Sequence, residues 1–362
     1  MTTIRLISVI GATGAQGIPV VKALVSSGQY TVRALTRDST NARFKELQSY
    51  GPVEPVIGTF ASESDLRSLF RGAWGAFVNI DGFNSGEKSE IFWTIRAWEL
   101  AIEAGVQLFV LGNLDYAYKK SGFRPQFHAG HYDGKGRVGE FILSQNRDTE
   151  FRTLVKMRSA LFTTGPYIEM TLGKATPFAP VVENDTAVWR IPLAGGAVPF
   201  TALDDCGFYV KYLFDHPAEA DGLDLAVALD HVTFTEYTRA FTAVTGHPAQ
   251  WDDVDLQKHL ETVFGPKVDS PAGYNADPND PATMTLRQNF GAFFEVFRNS
   301  GDNKGILKRD YEFLNRIHPG RIKSVEEWLR RQDQKGPGDL WSRTKELHHV
   351  LKILEEGRTG KI

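Results

Sequence analysis

The sequence predicts an α/β fold in which a parallel sheet carries helices on both faces and a smaller C-terminal lobe follows. Strand-like apolar segments alternate with helical segments from Leu6 to Leu111, the pattern of right-handed βαβ crossovers. The first strand stops at Gly11, and Gly14 and Gly17 follow at three-residue spacing before an amphipathic helix. A strand, a tight glycine turn and a helix in this order are typical of a Rossmann-type dinucleotide-binding unit.

The predicted elements follow one another with clear boundaries. Five strands are predicted at residues 6–10, 30–36, 52–58, 75–80 and 106–111. The helices between them are predicted from residue 18 to about 28 and at residues 41–48, 62–70 and 89–104. After residue 111 the alternation of strands and helices is less regular. The segments predicted there are a helix at 132–143, a strand at 150–156, a loop-rich stretch at 163–184, a strand at 224–228 and a helix at 235–245.

Length and composition limit the possible classes of protein. The chain has 362 residues, is 42% hydrophobic and carries a net charge of −3, so no basic field predicts nucleic-acid binding. No basic region precedes the first apolar run, and no run approaches the ~20 apolar residues that span a bilayer. The single cysteine, Cys206, fits a reducing compartment and excludes an internal disulfide. We expect a cytoplasmic protein with no membrane segment and no metal site.

The glycine-rich turn is the predicted site for a nucleotide diphosphate. One glycine permits the turn, another lets the backbone approach the phosphates, and the third packs the helix against the strand. The first amides of the helix face the phosphates, with the positive end of the helix dipole behind them. The residues of this turn expected to contact the cofactor are Gly11, Thr13, Gly14, Ala15, Gln16 and Gly17.

The residue after the second strand indicates which dinucleotide is bound. An acidic residue there accepts hydrogen bonds from a ribose 2′-hydroxyl, whereas a guanidinium pairs with a 2′-phosphate. Arg37 occupies this position, and Lys45 follows in the next predicted helix. Asp38 stands beside Arg37 and could accept the hydroxyl instead, and a solvated surface arginine is a further alternative. We expect NADP(H).

The predicted helix 132–143 carries the candidate catalytic residues. Short-chain reductases use a Tyr-x-x-x-Lys pair, in which tyrosine donates a proton and lysine holds the ribose. Lys135 is present here, but His131 occupies the position four residues before it, and Tyr132 lies only three residues before it, about 100° around the helix from that position. A literal match at Tyr116 to Lys120 starts too soon after the fifth strand. We expect Lys135 to face the nicotinamide ribose; His131 is either a proton relay or a structural or exposed histidine.

Several motifs together resemble the NmrA-like family, which comprises atypical relatives of the short-chain dehydrogenases. They are the glycine turn at 11–17, Arg37, the Lys135 helix, the segments 164–170 and 198–205, and the tail 317–329, which is similar to the fungal branch. The resemblance implies an extended Rossmann domain and a smaller C-terminal substrate lobe that together enclose a cleft over the nicotinamide. We therefore expect a domain at 1–160, a substrate or partner lobe at 161–330 with segments returning to the sheet, and a helical tail at 331–362.

Departures from the family pattern suggest further site residues. Many relatives carry Gly-Asp after the third strand, whereas this chain reads Gly58-Thr59-Phe60, so we expect Thr59 and Phe60 near the adenine. Related enzymes end the fifth strand in serines, and Asn113 here could donate a hydrogen bond to substrate in their place. Asn79 and Tyr167 complete the expected set of cofactor contacts.

The second lobe is predicted to contain either a ligand pocket or only its own core. Its aromatic and sulfur-containing residues between 160 and 200 are Phe162, Tyr167, Met170, Phe178, Trp189 and Phe200. They could form the floor of a cleft for a flat apolar ligand. The helical segment 289–297 could close that cleft or pack at the sheet edge. Residues 338–354 are predicted to form an amphipathic helix that packs on its own domain or on a second subunit, which would give a homodimer.

Three functions follow from these features. The first is an NADPH-dependent reductase of an aromatic or polyketide-like metabolite, as the resemblance to isoflavone and phenylcoumaran benzylic ether reductases implies; those enzymes use the lysine at the Lys135 position. The second is a non-catalytic NADP(H)-sensing regulator that binds a protein partner such as a transcription factor, in which case a nuclear location is expected. The third is a structural partner with a vestigial site.

Overall fold

A seven-stranded, all-parallel sheet forms the centre of the computed structural model, which describes residues 4–273, 276–335 and 339–350. Its strands are β1 (Arg5–Ile10), β2 (Tyr30–Thr36), β3 (Val53–Ile57), β4 (Gly75–Val78), β5 (Leu108–Leu114), β6 (Arg158–Thr164) and β10 (Asp224–Ala226). Their order across the sheet is β10-β6-β5-β4-β1-β2-β3. The chain therefore winds outward in two directions from β1, as a Rossmann-type fold does.

Helices cover both faces of this sheet. One face carries α1 (Gly17–Ser26), α2 (Ala42–Tyr50) and α8 (Leu203–Asp215). The other face carries α3 (Glu63–Phe70), α4 (Gly82–Glu103) and α6 (Gly130–Arg147). The two apolar layers beneath them are made of alternate strand residues; for example, Val9 faces the first layer and Ile10 the second. The predicted fold class is confirmed.

The second lobe is built from short strands and a group of helices. Its strands are β7 (Val181–Glu183), β8 (Thr186–Arg190), β9 (Val198–Phe200), β11 (Asp230–Val232) and β12 (Ala249–Asp252). Its longer helices are α10 (Phe234–Thr245), α11 (Leu256–Phe264), α12 (Leu286–Arg298) and α14 (Val325–Asp333). The shorter helices of the chain are α5 (Ala117–Lys120), α7 (Thr149–Leu154), α9 (Pro217–Ala220), α13 (Tyr311–Ile317) and α15 (Leu340–Lys345).

The chain does not divide cleanly at residue 160, because later segments contribute to the first layer. Strand β6 crosses that position, and β10 and α8 return to the sheet from beyond it. A separate aromatic core holds the second lobe together. The domain boundaries after residues 160 and 330 therefore stay a prediction. No helix in the described part of the chain is long and apolar enough to cross a membrane.

The structure corrects three predicted elements. The predicted strand 150–156 is helix α7, because the side chain of Asp148 caps it by accepting from Phe151 N at 2.9 Å, and the strand follows as β6. Helix α4 begins seven residues before the predicted 89, with a break at Gly86 (φ 76°). The predicted helix 338–354 is only α15 where it is described. Leu347 and Val350 lie beyond its end, and Leu351 and Leu354 lie outside the described residues.

Candidate active site

The candidate site lies where the winding of the sheet reverses. Strands β1 and β4 are neighbours, yet the chain leaves them in opposite directions. Ligands of parallel α/β sheets bind at the carboxyl ends of the strands at such a point. Gly11 follows β1 there and Asn79 follows β4, so the predicted glycine turn and Asn79 flank one crevice.

The glycine turn forms a cradle in which side chains would not fit. Gly11 has φ +82°, and a Cβ atom there would lie 2.5 Å from the carbonyl oxygen of Asn79. A Cβ atom on Gly17 would lie 2.1 Å from the carbonyl oxygen of Gly11. Gly14 N donates to that same oxygen at 2.9 Å and closes the turn. Helix α1 begins at Gly17 without a side-chain cap from Gln16, so its N-terminus faces the crevice as an anion-binding end.

A polar chain joins the glycine turn to Lys135. Lys135 Nζ donates to Asn79 Oδ1 at 3.1 Å and to Ile80 O at 2.7 Å. Asn79 Nδ2 donates to Gln16 Oε1 at 2.7 Å. The lysine is a donor only, so the amide oxygen of Asn79 must face it and the amide nitrogen must face Gln16. Four residues that the sequence assigns to the site (Gln16, Asn79, Lys135 and the adjacent turn residue Gly17) are thus brought together.

A buried carboxylate that the sequence analysis missed completes this group. Glu90 of α4 is 1% exposed, and its Oε1 lies 2.7 Å from Lys135 Nζ. Burial raises the pKa of Glu90, and the Lys135 ammonium opposes that rise. A signal was present in the sequence: Glu90 shares a helical face with Thr94, Ala97 and Ala101, all buried. An acidic residue on an apolar helix face indicates a buried partner.

The adenosine side of the crevice carries basic residues. Arg37 directly follows β2 and is exposed, as is Lys45 on α2. Arg43, which the sequence analysis missed, reaches the glycine turn: its Nη1 donates to Thr13 O at 3.3 Å. Phe44 and Leu47 are the buried residues of α2 and hold this helix against the sheet beside the turn.

Thr59 and Phe60 follow β3 at the same edge of the sheet. Thr59 N donates to Asp65 Oδ2 at 3.0 Å, so the carboxylate of α3 orders this turn. Phe60 is partly buried against the layer beneath α3 and α4. Its ring is therefore held at the edge where the sequence predicts the adenine.

The model of the NmrA-like family matches residues 3–303. The chain belongs to the NmrA-like family. Among its relatives are two proteins named NmrA-like family domain-containing oxidoreductase. One is hkm9 of Aspergillus hancockii, 28% identical over 74% of this chain and 80% of the relative. The other is lnaB of Aspergillus flavus, 26% identical over 78% and 89%.

Solved structures share the fold of this NmrA-like protein. NmrA, a negative transcriptional regulator in complex with NADP, is 16% identical with a TM-score of 0.66, covering 90% of this chain and 94% of that one. The NADPH-dependent quinone oxidoreductase QOR2 of Escherichia coli, complexed with NADPH, is 18% identical with a TM-score of 0.64, covering 90% and 99%.

His131 of the NmrA-like protein is packed among aromatic rings. Its ring centroid lies 5.1 Å from that of Phe83 and 5.3 Å from that of Phe290, and its Nδ1 is 2.9 Å from Asn289 Oδ1. Burial, together with the nearby Lys135 charge, lowers the pKa of His131 to about 4. The imidazole is therefore neutral near pH 7. Helix α12, which supplies Phe290, packs on the start of α6.

Asn113 is 4% exposed and one of its amide N–H groups is engaged. Nδ2 donates to Thr163 Oγ1 at 2.8 Å, and Thr163 in turn donates to Asp224. Thr163 takes only one of the two amide N–H groups, so a hydrogen bond from Asn113 to a substrate would come from the other. The structure thus places Asn113 in a contact between β5, β6 and β10.

The other tyrosines near α6 have structural contacts. Tyr116 accepts from Arg137 Nε at 3.2 Å, and Lys120 pairs with Asp115, so the literal Tyr116-to-Lys120 match does not form a dyad. Tyr132 is buried beneath α12, with no hydrogen-bond partner for its hydroxyl among the described residues. Its burial raises its pKa far above the usual value.

The aromatic residues of the second lobe are mainly core. Phe162, Phe178, Trp189 and Phe200 are fully buried. Only Tyr167 and Met170 of that group are partly exposed. Tyr167 forms a backbone bridge with Thr201. A ligand could therefore contact Tyr167 and Met170. The rings of Phe178, Trp189 and Phe200 belong to the core of the second lobe, and Phe162 belongs to the sheet layer beneath α1, α2 and α8.

Proposed function

We propose that this protein is an NADPH-dependent reductase that acts on an aromatic or polyketide-like metabolite in secondary metabolism. The observation that carries the proposal is the partly buried Lys135 ammonium beside a glycine cradle at the switch point of the sheet. The oxidoreductase names of its fungal relatives support the reaction class. The NADP and NADPH held by structures of the same fold support the cofactor.

The residues present fit a phosphorylated dinucleotide. Gly11 and Gly17 pack so closely against backbone carbonyls that only glycine fits there, and this tight turn leaves the amides at the start of α1 to bind a diphosphate. Arg37 would bind the 2′-phosphate, and Arg43 adds a second guanidinium on that side. Thr13, Ala15, Lys45, Thr59, Phe60 and Tyr167 remain proposed contacts.

Lys135 would act as the general acid of the reduction. When bound, NADPH supplies a hydride to an electrophilic carbon of the substrate. The Lys135 ammonium would stabilise the negative charge that develops on the substrate oxygen and give it a proton from Nζ. Phe83 and Phe290 keep apolar surface around this end of the crevice, which strengthens the electrostatic effect by excluding water.

The proposal is tested in two steps. Calorimetry with NADPH, NADP⁺ and NADH should give binding that is tightest for the phosphorylated forms. A screen of aromatic ketones and unsaturated polyketide-like compounds with NADPH should then give turnover that Lys135→Ala abolishes. Lys174→Ala, which changes an exposed lysine of the second lobe, is the control and should keep full activity. Absence of nucleotide binding would refute the cofactor assignment itself.

A second candidate is a non-catalytic NADP(H)-sensing regulator that binds a protein such as a transcription factor. Its specific support is that the position four residues before Lys135 holds a neutral, ring-packed His131 in place of a proton-donating tyrosine. Nucleotide binding without turnover of any compound, joined to a protein partner captured only in the presence of NADP(H), would favour this function over the reductase.

A further inference from the structure

Glu90 lies in a small buried space next to Lys135. Its Oε1 forms an ion pair with Lys135 Nζ, and neither carboxylate oxygen has a partner with hydrogen-bond geometry among the described residues. A Cβ atom on Gly82 would lie 2.3 Å from Oε2, and one on Gly134 would lie 3.4 Å from it. Two glycines on different helices thus leave room for one carboxylate. An unpartnered buried carboxylate is unfavourable, so the Lys135 ammonium is the group that favours its charged form.

Three oxygens surround the Lys135 ammonium, and only one of them carries a formal charge. They belong to Asn79, Ile80 and Glu90, at 3.1, 2.7 and 2.7 Å. An ammonium has three N–H donors, so a ribose or substrate oxygen can bind it only if one of these contacts is exchanged. Asn79 makes the longest contact through a neutral amide and already has Gln16 as a second partner. The Asn79 contact is therefore the one to exchange.

We propose that Glu90 is a positioning residue that holds Lys135 through its charge, while Asn79 gives way to the cofactor ribose or the substrate. This inference rests on the proposed function, because it assumes that a nicotinamide binds beside Lys135. Glu90 and Lys135 together contribute no net charge to that end of the crevice. Asp81 and Glu87 are the other acidic groups close to Glu90.

Charge balance at this pair sets the relative affinity for the two redox forms of the nucleotide. The oxidised nicotinamide ring carries a positive charge that the reduced ring lacks. Glu90→Gln leaves Lys135 without its counter-charge, so repulsion should weaken NADP⁺ binding more than NADPH binding. The Lys135 and nicotinamide charges would lie within one site, where the effective dielectric constant is about 20. The Kd of NADP⁺ divided by the Kd of NADPH should therefore rise roughly tenfold.

The experiment measures the Kd of NADP⁺ and of NADPH for the full chain by calorimetry at low salt. Glu90→Gln keeps the shape of the side chain and should raise the Kd ratio, whereas Glu90→Asp keeps the charge and should leave the ratio near that of the wild type. Glu183→Gln is the matched control, because Glu183 pairs with Arg190 at 2.7 Å at the surface of the second lobe. It should leave the ratio unchanged.

The possible outcomes separate the two proposals. A wild-type protein that binds neither nucleotide refutes the proposed function. A wild type that binds both, with the same Kd ratio in Glu90→Gln, overturns the role of Glu90 alone. General loosening of the structure by the substitution would weaken both nucleotides alike, so it cannot imitate the expected change in the ratio.

Discussion

Arg309 forms a bidentate ion pair with Asp115, with Nη1–Oδ1 at 3.1 Å and Nη2–Oδ2 at 2.7 Å. Both side chains are 0% exposed. Asp115 directly follows β5, whereas Arg309 lies beyond α12 and also donates to Val227 O at 3.0 Å. Burial alone would raise the pKa of Asp115, but the charges of Arg309 and Lys120 hold it well below its usual value. The pair therefore fastens the C-terminal region to the end of the sheet that carries the site.

Asp115→Asn should destabilise the protein strongly. It leaves the Arg309 guanidinium buried without its counter-charge, and loss of one partner of a buried pair costs about 3–5 kcal/mol. Urea denaturation at pH 7 measures the change. Glu183→Gln is the control, since Glu183 forms a similar two-point contact with Arg190 at the surface, and its loss should cost less than about 1 kcal/mol. Equal losses for the two variants would contradict the role given to burial.

The sheet could be predicted from the sequence because the residues that mark each strand lie within that strand or directly beside it. Apolar runs and glycine stops mark each strand, and β2 was predicted with the bounds that the structure shows. The error at 150–156 has an equally local cause. Apolar residues at Phe151, Leu154 and Val155 favour a strand, but the Asp148 cap outweighs that preference.

The site could be predicted only in part, because its key contacts join distant segments. The glycine turn and Lys135 follow from motif spacing. Glu90 and Arg43 do not, because their partners depend on how α4 lies against α6 and how α2 lies against the turn. Asn113 shows the converse: its place at the end of β5 was predicted, but Thr163, its partner across the sheet, was not.

Arg37→Asp should shift the nucleotide preference from NADPH towards NADH. The substitution removes the guanidinium proposed to bind the 2′-phosphate and puts a negative charge in its place. Loss of a charge-assisted hydrogen bond corresponds to about 1–3 kcal/mol in the difference between the two binding free energies. Calorimetry with both nucleotides measures it. Lys174→Asp makes the same kind of charge change at an exposed position of the second lobe and should not alter the preference. An unaltered preference in Arg37→Asp would leave Arg43 as the guanidinium to test next.

Glu169 should make stability depend on pH between about 4.5 and 7. Burial raises the pKa of Glu169 to about 7, although its Oε1 accepts from Leu203 N at 3.0 Å. In that range the folded protein keeps a proton that the unfolded chain has lost, so this contribution to stability is complete at low pH and disappears as pH rises to 7. Its size is at most about 3 kcal/mol.

Glu169→Gln isolates this contribution, because glutamine is neutral at every pH and can still accept from Leu203. We expect the variant to gain stability relative to the wild type as pH rises from 5 to 8, measured as the difference between urea unfolding free energies. The exposed Glu150→Gln should follow the wild-type curve. A constant difference between Glu169→Gln and the wild type would show that Glu169 titrates normally.

The last prediction concerns how much the Lys135–Glu90 pair stabilises the fold, since an unstable Lys135 variant would lose activity for that reason alone. Lys135→Met leaves the Glu90 carboxylate buried without its counter-charge, so the unfolding free energy should fall by up to about 3–5 kcal/mol. Glu90→Gln should cost less, because Lys135 is 13% exposed and can be partly hydrated. The double variant should recover much of the loss caused by Lys135→Met, since it removes the unpaired charge.

Lowering the pH should also stabilise Lys135→Met relative to the wild type, because burial raises the pKa of Glu90 and the ammonium that opposed the rise is gone. If the double variant is no more stable than Lys135→Met, the unpaired Glu90 charge is not the cause of the loss. Loss of turnover in Lys135 variants reports on chemistry alone only if Lys135→Met is as stable as the wild type.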